Sequence, residues 1–256
     1  MVNSMRLAFV VPAYNEEASL EGCLRSILDQ TGCDQSADTS MTIEIIVVNN
    51  ASTDRTREVA LAHAGVTVVD EPRKGLTFAR QAGLLAAGDA DLIANVDADS
   101  RLTPGWVTKA VSAFAQDREL VCLSGPLVYY DLPRGRRLLV HVFYLMAFAS
   151  YAVNRWVFRV GSMVQGGNFV VRREALERIG GFDTTIAFYG EDTDIARHMV
   201  EVGRVSFSRG FRMLSSGRRL RHEGTFTMAA RYTANYLSTI FLKRPTTQEY
   251  IDIRET

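Results

Sequence analysis

With 256 residues, 47% of them hydrophobic and 23% charged, the chain has the balance of a soluble globular protein and enough apolar material for one sizeable α/β domain. Its 29 basic and 29 acidic side chains leave a formal net charge of +0, so no global field favours nucleic acid. The cysteines Cys23, Cys33 and Cys122 are odd in number and lack CxxC spacing, which indicates neither a disulfide framework nor a zinc site.

The N-terminus enters the apolar run Arg6 to Val11 and then Pro12, too short for the core of a secretory signal, so a reducing, cytoplasmic setting is expected. A strand over about residues 6–12 ends in Pro12-Ala13-Tyr14-Asn15-Glu16-Glu17 and precedes a helix with its buried stripe at Leu20, Leu24, Ile27 and Leu28. Residues 31–41 read as a polar loop, and Ile43 to Val48 as a second buried strand ending at Asn49-Asn50-Ala51-Ser52-Thr53-Asp54. Ser52 or Thr53 is the expected cap of the next helix, with Asp54 near its positive end. Val66 to Val69 is a third strand, followed by Arg73-Lys74-Gly75 and a helix through Ala87. A fourth strand, opening at Leu92, runs into Asp97-Ala98-Asp99, after which Thr103-Pro104 reads as the cap and first residue of a helix. Strands alternating with helices over roughly 130 residues argue for a mostly parallel sheet covered on both faces.

The second half is less regular. Leu120 to Leu123 and Pro126 to Tyr129 are strand candidates, and an apolar stretch follows from Leu138 to Val160. Its most apolar part, about 16 residues, falls short of the roughly 20 needed to cross a bilayer. A buried core helix is expected there, with an interfacial helix, an acceptor surface or a dimer surface as alternatives, and the oligomeric state stays open. Gln165-Gly166-Gly167-Asn168 is a turn into a strand; Arg173 to Ile179 is a short helix stopped by Gly180-Gly181. Tyr189-Gly190-Glu191-Asp192-Thr193-Asp194 opens a helix carrying Ile195, Met199 and Val202, and another helix is expected over about 225–242.

Asp97 and Asp99 stand at the carboxyl end of a buried strand, where open α/β sheets bind ligands. At i and i+2 of an extended segment they lie on one side and can converge on a hard cation. No GxGxxG follows the first strand and no GxxxxGK[ST] occurs, so neither a dinucleotide fold nor a P-loop is indicated.

Taken in order, Val11-Pro12-Ala13-Tyr14-Asn15-Glu16-Glu17, Val47-Val48-Asn49-Asn50-Ala51-Ser52-Thr53-Asp54, Lys74-Gly75 with Ala79-Arg80, Asp97-Ala98-Asp99, Gly166-Gly167-Asn168 and Glu191-Asp192 resemble a family 2 glycosyltransferase of the GT-A fold. The resemblance spans roughly residues 6–200. It implies one domain over 1–256: a Rossmann-like nucleotide-sugar half over about 5–130, an acceptor half over about 131–242, and a flexible tail. It also implies a nucleoside diphosphate sugar donor, a divalent cation (Mg²⁺ or Mn²⁺) and inversion at the anomeric carbon. By that match Pro12, Tyr14, Glu16, Asn49, Asn50, Asp54, Lys74 and Arg80 line the nucleotide pocket, and Asp97, Ala98 and Asp99 face the diphosphate. Asp99 is the main metal ligand, Asp97 binds the ribose or reaches the metal through water, and His222 resembles a late histidine that some relatives add. Arg218 and Arg219 can pair with the diphosphate. Asp192 is the base that takes the acceptor proton, with Glu191 beside it raising its proton affinity. Asn168 offers an amide to sugar hydroxyls.

One departure matters: relatives commonly carry an aspartate where this chain has Asn49-Asn50. An amide can still accept the imide hydrogen of uracil. Uridine is therefore favoured only as the commonest case, with guanosine and thymidine diphosphate sugars open. The apolar stretch suggests a lipid-linked or membrane-associated acceptor and peripheral attachment at the inner membrane face. Two other functions compete. A sugar-1-phosphate nucleotidyltransferase would need a basic Gly-rich loop where this chain has Pro12 to Glu17; a catalytically silent binder of nucleotide sugar or lipid carrier would bind donor without turnover.

Overall fold

The computed structural model describes residues 5–33, 41–153, 163–186, 190–224 and 227. Strands β1 (Met5–Ala13), β2 (Met41–Asn49), β3 (Val66–Asp70) and β4 (Leu92–Val96) alternate with helices α1 (Leu20–Cys33), α2 (Thr56–Leu61) and α3 (Leu76–Ala86). Then come β5 (Ser100–Leu102), α4 (Trp106–Gln116), β6 (Leu120–Ser124), β7 (Leu127–Tyr129) and the long α5 (Arg134–Val153). The remainder is β8 (Asn168–Arg172), α6 (Arg173–Arg178), α7 (Glu191–Val202), β9 (Arg204–Phe207), β10 (Met213–Ser215) and α8 (Arg218–Glu223).

Seven strands form the main sheet in the order β3-β2-β1-β4-β8-β6-β9, and β5-β10-β7 form a small second sheet. β1 to β4 are mutually parallel, whereas β8 runs antiparallel between β4 and β6. Because side chains alternate along a strand, β1 and β4 feed both faces. Leu7, Phe9 and Val11 join α1 and α4 in one apolar cluster, while Ala8 and Val10 join α3, α6 and α7 in the other. The expected α/β sheet with helices on both faces is therefore what the chain forms.

Several local expectations are corrected. Residues 31–33 continue α1, so the loop is shorter than 31–41, and 34–40 lie outside the described residues. Neither Ser52 nor Thr53 caps α2: the Asp54 carboxylate accepts from the Thr56 N–H at 2.9 Å. Thr103-Pro104 does not open α4, which starts at Trp106. Its first amide is met by Gln30 Oε1 from α1 at 3.1 Å, a tertiary cap that local sequence cannot announce. In α5 only part of the surface is buried. Val140 packs with Leu132 and Leu220, but Leu138, Val142 and Leu145 are 65%, 43% and 45% exposed, so the described part is not a core helix. The apolar residues 154–160, Tyr189, nearly all of the expected 225–242 helix and the C-terminal tail lie outside the described residues.

Close packing of α3 on β1 requires Gly83, since a Cβ there would collide with Val10 Cγ1. Gly135, in α5, would meet nothing within 4 Å. Urea unfolding should therefore show Gly83→Ala losing about 1–3 kcal/mol by overpacking. Gly135→Ala should be neutral or gain up to about 1 kcal/mol of helix propensity.

Candidate active site

The parallel strands deliver their carboxyl ends to one edge of the sheet. β1 ends there at Tyr14 to Glu16, β2 at Asn49-Asn50, and β4 at Asp97. β8 begins there too: Asn168 pairs with Val96, so the Gly166-Gly167 turn abuts Asp97. Gly167 has φ +74°, and a Cβ on it would occupy the space of the Asp97 carboxylate. Glycine is needed for both reasons. The N-terminus of α7 brings Glu191 and Asp192 to the same place.

Together these elements wall a solvent-open cleft lined by Arg80, Asp97, Asp99, Tyr129, Gln165, Gly166, Glu191, Asp192, Ser216 and Arg219 among others. The two acidic pairs expected from distant parts of the sequence thus share one cavity.

Arg80 sits between them. It is 1% exposed, ion-paired to Glu191 Oε1 and, at 3.3 Å, to Asp97 Oδ1, with its guanidinium 5.2 Å from the centre of the Phe169 ring. It is a buried bridge between the acidic pairs and lines the cleft. Burial pushes the Glu191 carboxyl up to about 7, aided by Asp192 and Asp97 and opposed by Arg80. Burial also raises Asp192, against the Gly166 N–H at 3.4 Å from Oδ2 and the Thr193 N–H at 2.8 Å from Oδ1. A carboxyl raised in this way suits a proton acceptor working near neutrality.

A second arginine reaches in from α8. Arg218 pairs with Glu16 and, through Nε at 3.1 Å, with Asp99 Oδ2. Its helix is anchored by Asp131, which accepts from the Ser216 hydroxyl and the Gly217 N–H. Asp97 keeps 38% of its side chain exposed toward the cleft. Two adjacent carboxylates of hard oxygen donors, one accommodated by the missing Cβ of Gly167, fit a divalent cation that needs only one or two protein ligands. Among the described residues no group of three or more His, Cys, Asp or Glu is placed so that it could hold a metal ion together. His222 is exposed and does not line the cleft, so this arrangement does not bring it to the aspartates.

At the ends of β1 and β3, Lys74 Nζ lies 3.9 Å from the centre of the Tyr14 ring and 2.7 Å from its hydroxyl. Asn49 donates to Asp70 at 2.8 Å, with its Oδ1 buried and unmatched. Asn50 is structural: its amide donates to the Glu71 and Arg73 carbonyls and its Oδ1 accepts from the Gly75 N–H, tying the loop before α3 to the end of β2. Asp54 likewise accepts from the Glu17 N–H at 3.1 Å, joining the loops after β1 and β2. Pro12 lies in β1 opposite Val48, and Ala98 is buried. Asn168 is corrected. Fully buried, it accepts from the Trp106 indole N–H and donates to the Gly125 and Phe211 carbonyls, so it has no amide to offer a sugar. Sequence reasoning did not single out Tyr129 or Gln165 as cleft residues, and neither carries a local signal for that role.

Residues 8–180 match the model of a family described as glycosyl transferase family 2. The chain is 38% identical over 101 residues to a dolichyl-phosphate β-glucosyltransferase of Trichomonas vaginalis, covering 38% of this chain and 31% of that one. It is 36% identical over 138 residues to an uncharacterized glycosyltransferase, EpsJ, of Bacillus subtilis, covering 52% and 37%. In these matches the chain spans well under half the length of the relatives. Its fold resembles that of a Pyrobaculum calidifontis mannosyltransferase solved with GDP-mannose and Mn²⁺, with TM-score 0.67, 24% identity, and coverage of 94% of this chain and 64% of that one. Glucosyl-3-phosphoglycerate synthase of Mycobacterium tuberculosis, solved with Mn²⁺ and UDP-glucose, gives TM-score 0.60 at 20% identity, with coverage of 93% and 79%.

The raised carboxyl of Glu191 makes a signed prediction. Its favourable contribution is fully present below about 4.5, the ordinary value, and is lost as pH rises through about 7. Melting temperatures of wild type and Glu191→Gln, compared at pH 5 and pH 8, should therefore shift in favour of the variant at the higher pH.

Proposed function

The chain belongs to glycosyl transferase family 2, and on that premise we propose that it is an inverting glycosyltransferase moving a sugar from a nucleoside diphosphate to an acceptor hydroxyl. The observation that carries this reading is the single cleft shared by Asp97 and Asp99 on one wall and Glu191 and Asp192 on the other. Asp192 takes the proton of the acceptor hydroxyl. The acceptor oxygen bonds to the anomeric carbon, and the bond from that carbon to the diphosphate oxygen breaks on the opposite face. Burial raises the proton affinity of Asp192, and the Asp192 charge in turn helps to raise that of Glu191, which Arg80 holds beside it.

Asp99 and Asp97 would hold Mg²⁺ or Mn²⁺, which supplies Lewis-acid stabilisation to a departing diphosphate. Arg218 would turn from Asp99 toward the phosphates, and Arg219, on the cleft wall, would add a second positive charge. Tyr14 and Lys74 form the platform for the base and ribose, with Asn49 as the group that reads the base. The first half of the chain serves the donor and the second half the acceptor, as the positions of these groups along the sequence favour. UDP and GDP sugars both suit an amide reader. A lipid-linked acceptor is supported by the dolichyl-phosphate named for one relative and by the exposed apolar side of α5. Among the described residues no helix is long and apolar enough to cross a membrane.

Thermal melts with UDP or GDP plus Mn²⁺ should show stabilisation by mass action in wild type and Asp192→Asn, and its loss in Asp99→Asn. Transfer from UDP-glucose or GDP-mannose to a hydroxyl acceptor should fall by roughly 10²–10⁴-fold in Asp192→Asn, the usual contribution of a general base. Unchanged transfer would remove Asp192 from the chemistry and favour an acceptor whose attacking oxygen is already ionised.

A further inference from the structure

The outward side of α5 has a composition that neither the cleft nor the core explains. Across Arg134–Val153 there is no acidic residue. Arg134, Arg136 and Arg137 are exposed at its start, and Leu138, Val142 and Leu145 follow at i, i+4 and i+7, all exposed. On a helix of 3.6 residues per turn those three form one stripe with Arg134 and His141 in the same sector, opposite Val140 and Tyr144. Val140 and Tyr144 face inward, packing with Leu132, Leu220 and Tyr129. The stripe is thus solvent-facing in a helix whose other side is seated.

The same helix is tied to the cleft. The Tyr144 hydroxyl donates to Gln165 Oε1 at 2.8 Å, and Gln165, Tyr129 and Leu220 all line the cleft wall. Gly166, next to Gln165, donates its N–H to Asp192. Whatever settles on the outer side of α5 therefore lies close to the cleft mouth.

We propose that α5 is an in-plane membrane-docking helix whose occupant is an anionic lipid surface, with Leu138, Val142 and Leu145 entering the acyl boundary and Arg134 beside the stripe meeting lipid phosphates. The exposed Arg136 and Arg137, on other sides of the same first turn, add attraction at a distance comparable to the Debye length of ~8–10 Å. Charge selects this occupant over a second copy of the chain. Two α5 helices face to face, whether parallel or antiparallel, would offer these arginines no acidic residue on the partner helix. Basic residues flanking an apolar stripe on a helix not apolar enough to span a bilayer are the physical requirements for lying in the interface. Docking itself does not depend on the enzymatic reading. That it brings the cleft mouth to headgroup level deepens the proposal of a lipid-linked acceptor and rests on it.

The test is co-sedimentation of the chain with vesicles of phosphatidylcholine, with and without phosphatidylglycerol. Binding is expected to the anionic vesicles, to weaken with added salt, and to be far weaker on the neutral ones. Replacing Arg134, Arg136 and Arg137 together by Gln should lower partitioning by about a hundredfold, at roughly a factor of several per basic residue. Leu138→Ser with Val142→Ser and Leu145→Ser should abolish it, whereas Leu85→Ser, at an apolar residue exposed on α3, should not. Circular dichroism and melting curves establish that each variant is folded; the arginine variant, which leaves the apolar packing untouched, keeps the test decisive if the triple serine variant unfolds. Equal binding to neutral vesicles, no binding at all, or wild-type binding by the arginine variant would overturn the proposal. So would a dimer in analytical ultracentrifugation that the serine variant dissolves, because the stripe would then belong to a second copy. None of these readouts involves sugar transfer, so a failure of docking leaves the enzymatic reading standing, and the converse.

Discussion

A guanidinium buried in protein must be met by charge, and Arg80 is met by two carboxylates that arrive from different parts of the fold. One is Asp97, at the end of a central strand; the other is Glu191, in the first turn of α7. Removing either would leave a buried charge short of a partner. The pairing therefore fixes the distance between the wall that carries the aspartate pair and the wall that carries the proposed base. Phe169 beneath the guanidinium, from β8, supplies the third side of the enclosure.

The antiparallel insertion of β8 makes this geometry possible. A parallel strand beside β4 would end at the cleft edge, whereas β8 begins there, bringing the Gly166-Gly167 turn against Asp97 and giving Asp192 a backbone N–H. The absent Cβ of Gly167 leaves room for the Asp97 carboxylate, and that of Gly166 leaves room beside Glu191 Oε1, 3.2 Å from where such an atom would stand. The site is built as much from missing side chains as from present ones. Asn168 then locks the turn by joining Trp106, Gly125 and Phe211 in the interior.

The parts of this arrangement that sequence discloses are those with a local signature. Buried strands show as apolar runs, their ends as clusters of Asp, Asn and Gly, and α1 as a stripe of Leu20, Leu24 and Ile27; all appear where expected. Hidden from sequence are the properties decided by tertiary partners. Arg80 looks like any basic residue on a helix until burial and two carboxylates are placed around it. Asn50 and Asn168 look like recognition amides, and backbone carbonyls far along the chain engage them instead. Gln30 caps α4 from another helix, which displaces the Thr103-Pro104 start. The apolar run in α5 reads as core because hydropathy counts residues without saying which side of the helix meets protein.

Charge in the cleft has its own consequence. Asp97, Asp99, Glu191 and Asp192 line it together with Arg80 and Arg219, and Arg218 ties Asp99 to the buried Glu16. A nucleoside diphosphate entering alone would bring more charge of the same sign against Asp97 and Asp99, an unfavourable approach at these separations. Under the proposed reading, Asp99 would hold a divalent cation that offsets the diphosphate charge, so donor and cation would bind best as a unit, and Arg218, which pairs with Asp99, would then be available to the phosphates. One exchange of partners at Asp99 would convert a closed network of ion pairs into a donor site, without requiring movement of the sheet that carries it.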